Sequence, residues 1–204
     1  MTYKKIIFFS VILFSAFLTF GQTEQQDIIV LRKAIGKTQD SLITYAEQST
    51  GWKRIEEYFD KRKFKGQSPD TKQNSITLTK SEFKLLHQQI ENYKDLKWEE
   101  NLFTYSTRIP SDSVLKNLNE RRKKLKEEKY NALARMDSTT FNNLKYKEPW
   151  VYGFSKPLYF RYNTFCLLYI VALSSGTSGY DEIAFYKKEN ENWSKWIVVA
   201  HGEF

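Results

Sequence analysis

The chain has few of the residues that build covalent or metal-bound structure: one cysteine and two histidines among 204 residues. The single thiol, Cys166, excludes an intramolecular disulfide. A zinc site needs several Cys, His or acidic ligands at suitable spacing, and neither H-E-x-x-H nor C-x-x-C occurs. We therefore predict no metal and no cofactor. We expect His87 and His201 to be structural or solvent-facing, and Cys166, in an apolar run, to be buried.

Motifs that mark common enzymes are also absent. There is no P-loop, no G-x-G-x-x-G and no G-x-S-x-G, so neither a phosphate cradle nor a nucleophile elbow is indicated. Glu56-Glu57 and Glu99-Glu100 are sequence neighbours. On a helix such carboxylates point about 100° apart, whereas glycoside hydrolysis needs two that face each other.

A serine triad remains as one arrangement to test. Its possible nucleophiles, Ser174, Ser175 and Ser178, lie in a Ser/Gly-rich loop. His201 as base and Asp181 as orienting acid would complete it. Ser/Gly-rich turns are ordinary in hairpins, so the pattern favours a loop without chemistry, and we assign no catalytic residue.

A long apolar run occurs at the start of the chain. Lys4 and Lys5 precede the apolar stretch Ile6–Phe20. The small residues Thr19 and Gly21 lie at its end, where a signal peptidase would recognise them. As a helix this stretch spans about 22 Å, less than the roughly 30 Å of a bilayer core. The pattern favours a signal peptide over its alternative, a retained anchor, with cleavage between Gly21 and Gln22. We predict an exported protein, periplasmic or extracellular, with no permanent membrane span after cleavage.

The formal net charge is +8, and much of the excess lies in the segment Lys116–Lys129. A basic face of this kind suits an anionic polymer or membrane surface. Nucleic acid is not expected outside the cytoplasm. The alternative, which the pattern favours, is a solvated helix face supported by a Glu120–Lys124 pair.

Residues 22–204 predict a single α+β domain, with a mainly helical part (22–148) and an antiparallel β-meander of about four strands (149–204). Near-helical spacing extends from Ile28 to Ala46, with a break at Gly36. A second short helix is predicted around residues 55–59. A solvated run at 61–66 and a turn at 68–70 follow it.

The clearest local pattern begins at Ser75–Leu78, which alternates as a short strand does. Thr79–Glu82 then has the form of a capping box before an amphipathic helix that reaches Tyr93. A further helix with a narrow apolar stripe is predicted from Val114 to Leu133, capped by Ser111 or Ser113. Residues 138–147 are predicted to be a connection.

The final 55 residues contain fourteen aromatic side chains. Four strands are predicted there: Leu158–Tyr162, Phe165–Leu173, Ile183–Tyr186 and Trp193–Ala200. The connections, at 163–164, 174–179 and 189–192, are too short for parallel crossovers. One or more helices are expected to cover the apolar face of this meander. Core packing is favoured for the aromatics. Tyr159, Arg161 and Trp196 are the side chains to inspect for a carbohydrate or peptide surface.

Four segments carry a resemblance to a known group. Phe154–Asn163 (FSKPLYFRYN), Tyr186–Asn190 (YKKEN), Leu78–Glu82 and Trp98–Phe103 resemble motifs of exported proteins of Bacteroidota. The resemblance implies export and the fold described above, and it implies no activity. Members of that group often carry two cysteines in the loop that matches Ser174–Gly179, where this chain keeps only the glycines.

Two functions from different classes follow. The first is a non-catalytic binding or accessory domain at the cell envelope, with an envelope protein or an anionic polymer as its partner. The alternative is an envelope hydrolase whose site is assembled from scattered residues. A toxin-neutralising or stress-response factor would differ from the first only in its partner.

Overall fold

The computed structural model describes residues 24–36, 41–66, 75–145, 150–175 and 178–204. The predicted cleavage site, Gly21 and Gln22, and the predicted turn at 68–70 lie outside the described residues. Within the described ranges, no helix is both long and apolar enough to cross a bilayer.

The helices in the described residues are α1 (24–35), α2 (Trp52–Tyr58), α3 (Lys80–Tyr93), α4 (Val114–Ala134) and α5 (Ser138–Lys145), with a 3₁₀ turn at Ser111–Ser113. The strands are β1 (Ile43–Ala46), β2 (Lys63–Lys65), β3 (Ser75–Thr77), β4 (Ser106–Ile109), β5 (Val151–Phe154), β6 (Leu158–Phe160), β7 (Phe165–Ser175), β8 (Ser178–Glu189) and β9 (Asn192–Glu203).

The described part of the chain folds as a mixed α/β structure around one sheet of seven strands. Its order is β4-β1-β5-β7-β8-β9, and β6 also pairs with β7. The pairs from β5 to β9 are antiparallel, whereas β1 lies parallel to both β4 and β5. The predicted antiparallel strands are confirmed. The predicted number, about four, is wrong, because strands from the front half extend the sheet.

Helices and hairpins cover both faces of this sheet. Along β7, Cys166 and Leu168 belong to the core that α1 completes. Leu167 and Tyr169 belong to the opposite core, formed with α2, α3 and the separate β2–β3 hairpin. The expectation of one covered face is therefore wrong. A continuous apolar run in a strand is typical of burial on both faces.

Two corrections concern the front half. The helical spacing from Ile28 to Ala46 stops at Gly36, as predicted, where the backbone adopts φ +68°, a conformation that glycine tolerates best. Beyond it, Ile43–Ala46 is β1 rather than helix. The run at 61–66 is not wholly solvated, because Phe64 is 4% exposed at the centre of β2. Its Lys-Phe-Lys alternation has the period of a strand.

Two predicted irregular segments are also regular. The connection predicted at 138–147 contains α5, whose start is capped because Asp137 Oδ1 accepts a hydrogen bond from Thr140 N at 2.9 Å. The loop predicted at 174–179 is largely strand, because β7 continues to Ser175 and β8 starts at Ser178.

The capping box before α3 is confirmed, and its Glu82 also binds Arg161 of the FSKPLYFRYN segment. Thr79 Oγ1 accepts from Glu82 N, and Glu82 Oε2 accepts from Thr79 N at 2.8 Å. The other carboxylate oxygen of Glu82 accepts from Arg161 Nε, also at 2.8 Å. Burial acts to raise the pKa of Glu82, but hydrogen bonds from Arg161 and from Thr79 outweigh it, so the pKa lies below its ordinary value.

Because Glu82 binds Arg161 and Thr79 as a carboxylate, we expect the protein to lose stability in acid. Because the pKa of Glu82 is lower in the folded state, its contribution is present above pH 4.5 and is lost as the pH falls through the folded-state pKa. We expect Glu82→Gln to lower the free energy of unfolding by about 2 kcal/mol at pH 7. The loss should shrink in acid, as measured by urea unfolding across pH.

Glu91→Gln is the matched control, because Glu91 pairs with Lys94 on the same helix and its side chain is 61% exposed. An exposed pair of this kind contributes little to stability, so Glu91→Gln should lose much less than Glu82→Gln. Equal losses for the two variants would contradict the role assigned to Glu82.

Candidate ligand-binding cleft

In the part of the chain that the structure describes, the two histidines have aromatic neighbours and no set of metal ligands around them. His87 lies edge-on against the rings of Phe59 and Phe83, with centroids 5.4 and 4.5 Å away. His201 packs against Tyr180 at 6.0 Å. Among the described residues, no group of three or more His, Cys, Asp or Glu side chains is arranged to hold a metal ion.

The serine triad is not assembled. His201 Nε2 lies 3.5 Å from the exposed carboxylate of Glu203. Asp181 instead pairs with Arg54 of α2, at 3.3 Å, on the opposite face of the sheet. Ser174 Oγ donates to the carbonyl of Ser178. Because Asp181 and His201 point to different faces, the acid cannot orient the base.

The aromatic and basic side chains considered for a surface have structural contacts instead. Tyr159 is 7% exposed. Arg161 binds Glu82 and lies over the ring of Phe165, 5.0 Å from its centroid. Trp196 packs against the same ring at 5.3 Å. These residues form no exposed aromatic platform.

A buried polar cluster joins α1 to the connection between β5 and β6. Asp27 is 1% exposed, and its two oxygens bind Lys156 Nζ at 2.5 Å and the Tyr159 hydroxyl at 2.8 Å. Burial raises the pKa of Asp27, an effect that Lys156 and Tyr159 partly oppose. Cys166 is buried as predicted, and burial raises the pKa of its thiol. Because this cluster of Asp27, Lys156 and Tyr159 joins α1 to the β5–β6 connection, we call it the clamp.

A cleft of about 640 Å³ opens on the α2 side of the sheet. Its floor consists of apolar residues and one glycine from two neighbouring strands: Val151 and Gly153 of β5, with Val171 and Leu173 of β7. Trp52 of α2 forms one wall, and Val114 and Leu115 at the start of α4 form another. The volume lies within the range of small-molecule sites.

The loop between β1 and α2 forms the rest of the wall and is held by hydrogen bonds. Ser49 N donates to the carbonyl of Leu96, and Thr50 N donates to that of Phe154. Ser49 Oγ accepts from Lys156 N at 3.1 Å, so the clamp residue also fixes this wall. These bonds leave the cleft preformed.

Two glycines leave room for the loop between β1 and α2 and for the floor of the cleft. A Cβ on Gly51, which has φ +86°, would lie 2.0 Å from the ring of Tyr169. A Cβ on Gly153 would lie 2.9 Å from side-chain carbons of both Thr50 and Val171. Larger residues would therefore displace the loop or fill the floor.

The charged groups of the cleft are cationic. Lys53 is exposed at the rim, and Lys94 Nζ is paired with Glu91 at 2.5 Å. No Asp, Glu, His or Cys side chain is among the described residues that line the cleft. The cleft therefore offers apolar contact and a positive charge, and it offers no acid–base pair or activated nucleophile.

Sequence reasoning did not find this cleft. Its residues come from five separate segments that only the sheet order brings together. The one local signal was Gly51 directly before the second helix pattern.

Comparisons with protein-family models, with curated proteins and with solved structures gave no match for this chain. The resemblance to exported Bacteroidota proteins therefore stays a prediction, and the interpretation of the cleft rests on its geometry.

The buried clamp generates a stability prediction. Lys156→Met leaves the Asp27 carboxylate without its cation, which we expect to lower the free energy of unfolding by about 3–5 kcal/mol. The double variant Asp27→Asn with Lys156→Met removes both charges and should recover most of that loss. Urea unfolding of the two variants measures the difference.

Lys94→Met is the matched control, because it removes a lysine from an exposed pair. It should cost much less than Lys156→Met does, because an exposed pair contributes little. A Lys156→Met variant as stable as this control, or a double variant less stable than the single one, would refute the clamp.

Proposed function

We propose that the chain is an exported, non-catalytic binding domain of the cell envelope whose site is the cleft between α2 and α4. The ligand class is an amphiphile with an apolar body and an anionic end. One observation carries the proposal: a preformed cleft with an apolar floor, a cationic rim and no Asp, Glu, His or Cys side chain among the described residues of its lining.

The shape and charge of the cleft support this ligand class. Contact with Val171, Leu173 and Trp52 favours an apolar body, since burial contributes about 25 cal/mol per Å² of apolar surface. Lys53 stands at the rim, where an anionic end stays partly hydrated. Because no carboxylate lines the cleft, nothing there repels an anion.

The alternative, an envelope hydrolase, has no comparable support. The groups that it would use are apart in the described residues: His201 contacts Glu203, and Asp181 binds Arg54 on the other face of the sheet. Lys156, which has a buried carboxylate partner in Asp27, is engaged in the clamp.

Calorimetric titration with dodecanoate tests the proposed ligand class. We expect binding that is weakened about tenfold or more by Leu115→Asp, because the apolar wall is lost. Lys53→Glu should weaken it about fivefold, because an exposed charge contributes modestly. Dodecanol, which has the same chain and no charge, should respond to the Leu115 variant and not to the Lys53 variant.

Leu85→Asp and Lys84→Glu are the matched controls, because both residues are exposed on α3 and neither lines the cleft. They should bind as the unaltered chain does. No binding of either probe, or equal weakening by the cleft and control variants, would reject the site.

Export is a separate part of the proposal. Amino-terminal sequencing of the protein isolated from its natural host should begin at Gln22, because the apolar leader is expected to be removed by signal peptidase. A cytosolic protein that still begins at Met1 or Thr2 would contradict it.

A further inference from the structure

An exposed stripe of basic and apolar side chains runs along one side of α4. Its members recur at intervals of three and four residues, which places them on one side of a helix. They are Arg122, Lys126, Tyr130 and Leu133, and Met136 follows directly after the helix. All five are exposed. We call this set the α4 stripe.

The apolar members of the stripe are unusually open to solvent. Tyr130 is 73% exposed, Leu133 58% and Met136 93%. Leu133 and Met136 also border a small hollow of about 230 Å³ between α4 and α5, where Ala132 and Phe141 contribute further apolar surface. The distal end of the helix therefore presents an apolar tip.

The acidic residues of α4 lie away from the two cations of the stripe, Arg122 and Lys126. At 100° per residue, Glu120, Glu127 and Glu128 are each about 100° or more from Lys126 around the axis. The predicted Glu120–Lys124 pair is not formed. No member of the stripe is itself a carboxylate, although Glu127 lies three residues before Tyr130 and Asp137 borders the hollow. Residues 114–145 as a whole contain nine basic and four acidic side chains, a net charge of +5.

A different side of α4 holds the helix to the protein. Val114 and Leu118 pack with Ile109 and Val151, and Arg121 donates to Thr44 Oγ1 at 2.7 Å. Around the axis Val114 and Arg121 lie about 80° and 100° from Arg122, and Leu118 lies about 40° from it. The folding contacts therefore border the stripe at Arg122 and leave Lys126, Tyr130, Leu133 and Met136 exposed.

We propose that the α4 stripe is a peripheral membrane-binding surface for an anionic lipid bilayer. Stable attachment to a bilayer combines two contributions, a basic patch and apolar groups that enter the interface. Arg122 and Lys126 supply the first, and Tyr130, Leu133 and Met136 supply the second at the tip. A soluble polyanion would use only the charges and leave the apolar tip in water, so the bilayer fits more of the surface.

This inference is independent of the cleft, because no member of the α4 stripe lines it. Either proposal can fail without the other.

Co-sedimentation with lipid vesicles tests it. The full chain is mixed with vesicles of phosphatidylglycerol and phosphatidylcholine in equal parts, and with vesicles of phosphatidylcholine alone. We expect binding to the anionic vesicles that falls at least about tenfold in Arg122→Glu with Lys126→Glu, and by a similar factor in Leu133→Asp with Met136→Asp. Every variant has the same first 23 residues, so their contribution cancels in the comparison.

The controls match the two changes in number and kind. Lys80→Glu with Lys84→Glu reverses two lysines at i,i+4 on α3, and Leu42→Asp with Leu85→Asp alters two exposed leucines off α4. Both should bind as the unaltered chain does. Leu133→Gln with Met136→Gln changes the same two apolar residues without adding charge. Circular dichroism checks that each variant keeps its helices.

Three results would overturn the proposal. The first is absence of a preference for anionic vesicles in the unaltered chain. The second is equal loss of binding in stripe and control variants. The third is normal vesicle binding by both apolar-tip variants together with equally tight binding to dextran sulfate, which would identify a charge-only surface for an anionic polymer.

Discussion

The buried pair between Asp27 and Lys156 is the contact on which the arrangement of layers depends. The Lys156 side chain fixes α1 to one face of the sheet through Asp27, and its backbone N–H binds Ser49 Oγ in the wall of the cleft. One residue therefore couples the helix on one side to the loop on the other. An unpaired buried charge is costly, so this contact restricts how the chain closes around β5 and β6.

The same restriction supports the binding role that we propose for the cleft. Hydrogen bonds of Ser49 and of the Thr50 backbone hold the loop, and Lys94 binds Glu91. The lining keeps an apolar floor and the exposed ammonium group of Lys53. A preformed site of this kind loses little conformational freedom when it binds a ligand.

The sequence predicted the features that are written in short stretches. The capping box at Thr79–Glu82 and the buried run around Cys166 are both fixed by neighbours a few residues apart. The features that depend on distant pairing were missed. Leu42 and Ala46 continue the helical spacing of α1, and only parallel pairing with β4 and β5 makes β1 a strand. The segment around Lys156 carries a local motif, but its partner Asp27 is distant in the sequence, so no local pattern predicts their contact.

Amide NMR of the chain during titration with dodecanoate tests the proposed binding cleft most directly. We expect chemical-shift changes to concentrate on Gly51, Lys53, Leu115 and Gly153, at the walls and floor of the cleft. The amides of His201 and Cys166 should be unaffected. Changes centred on His201 and Glu203, or distributed without relation to the cleft, would contradict it.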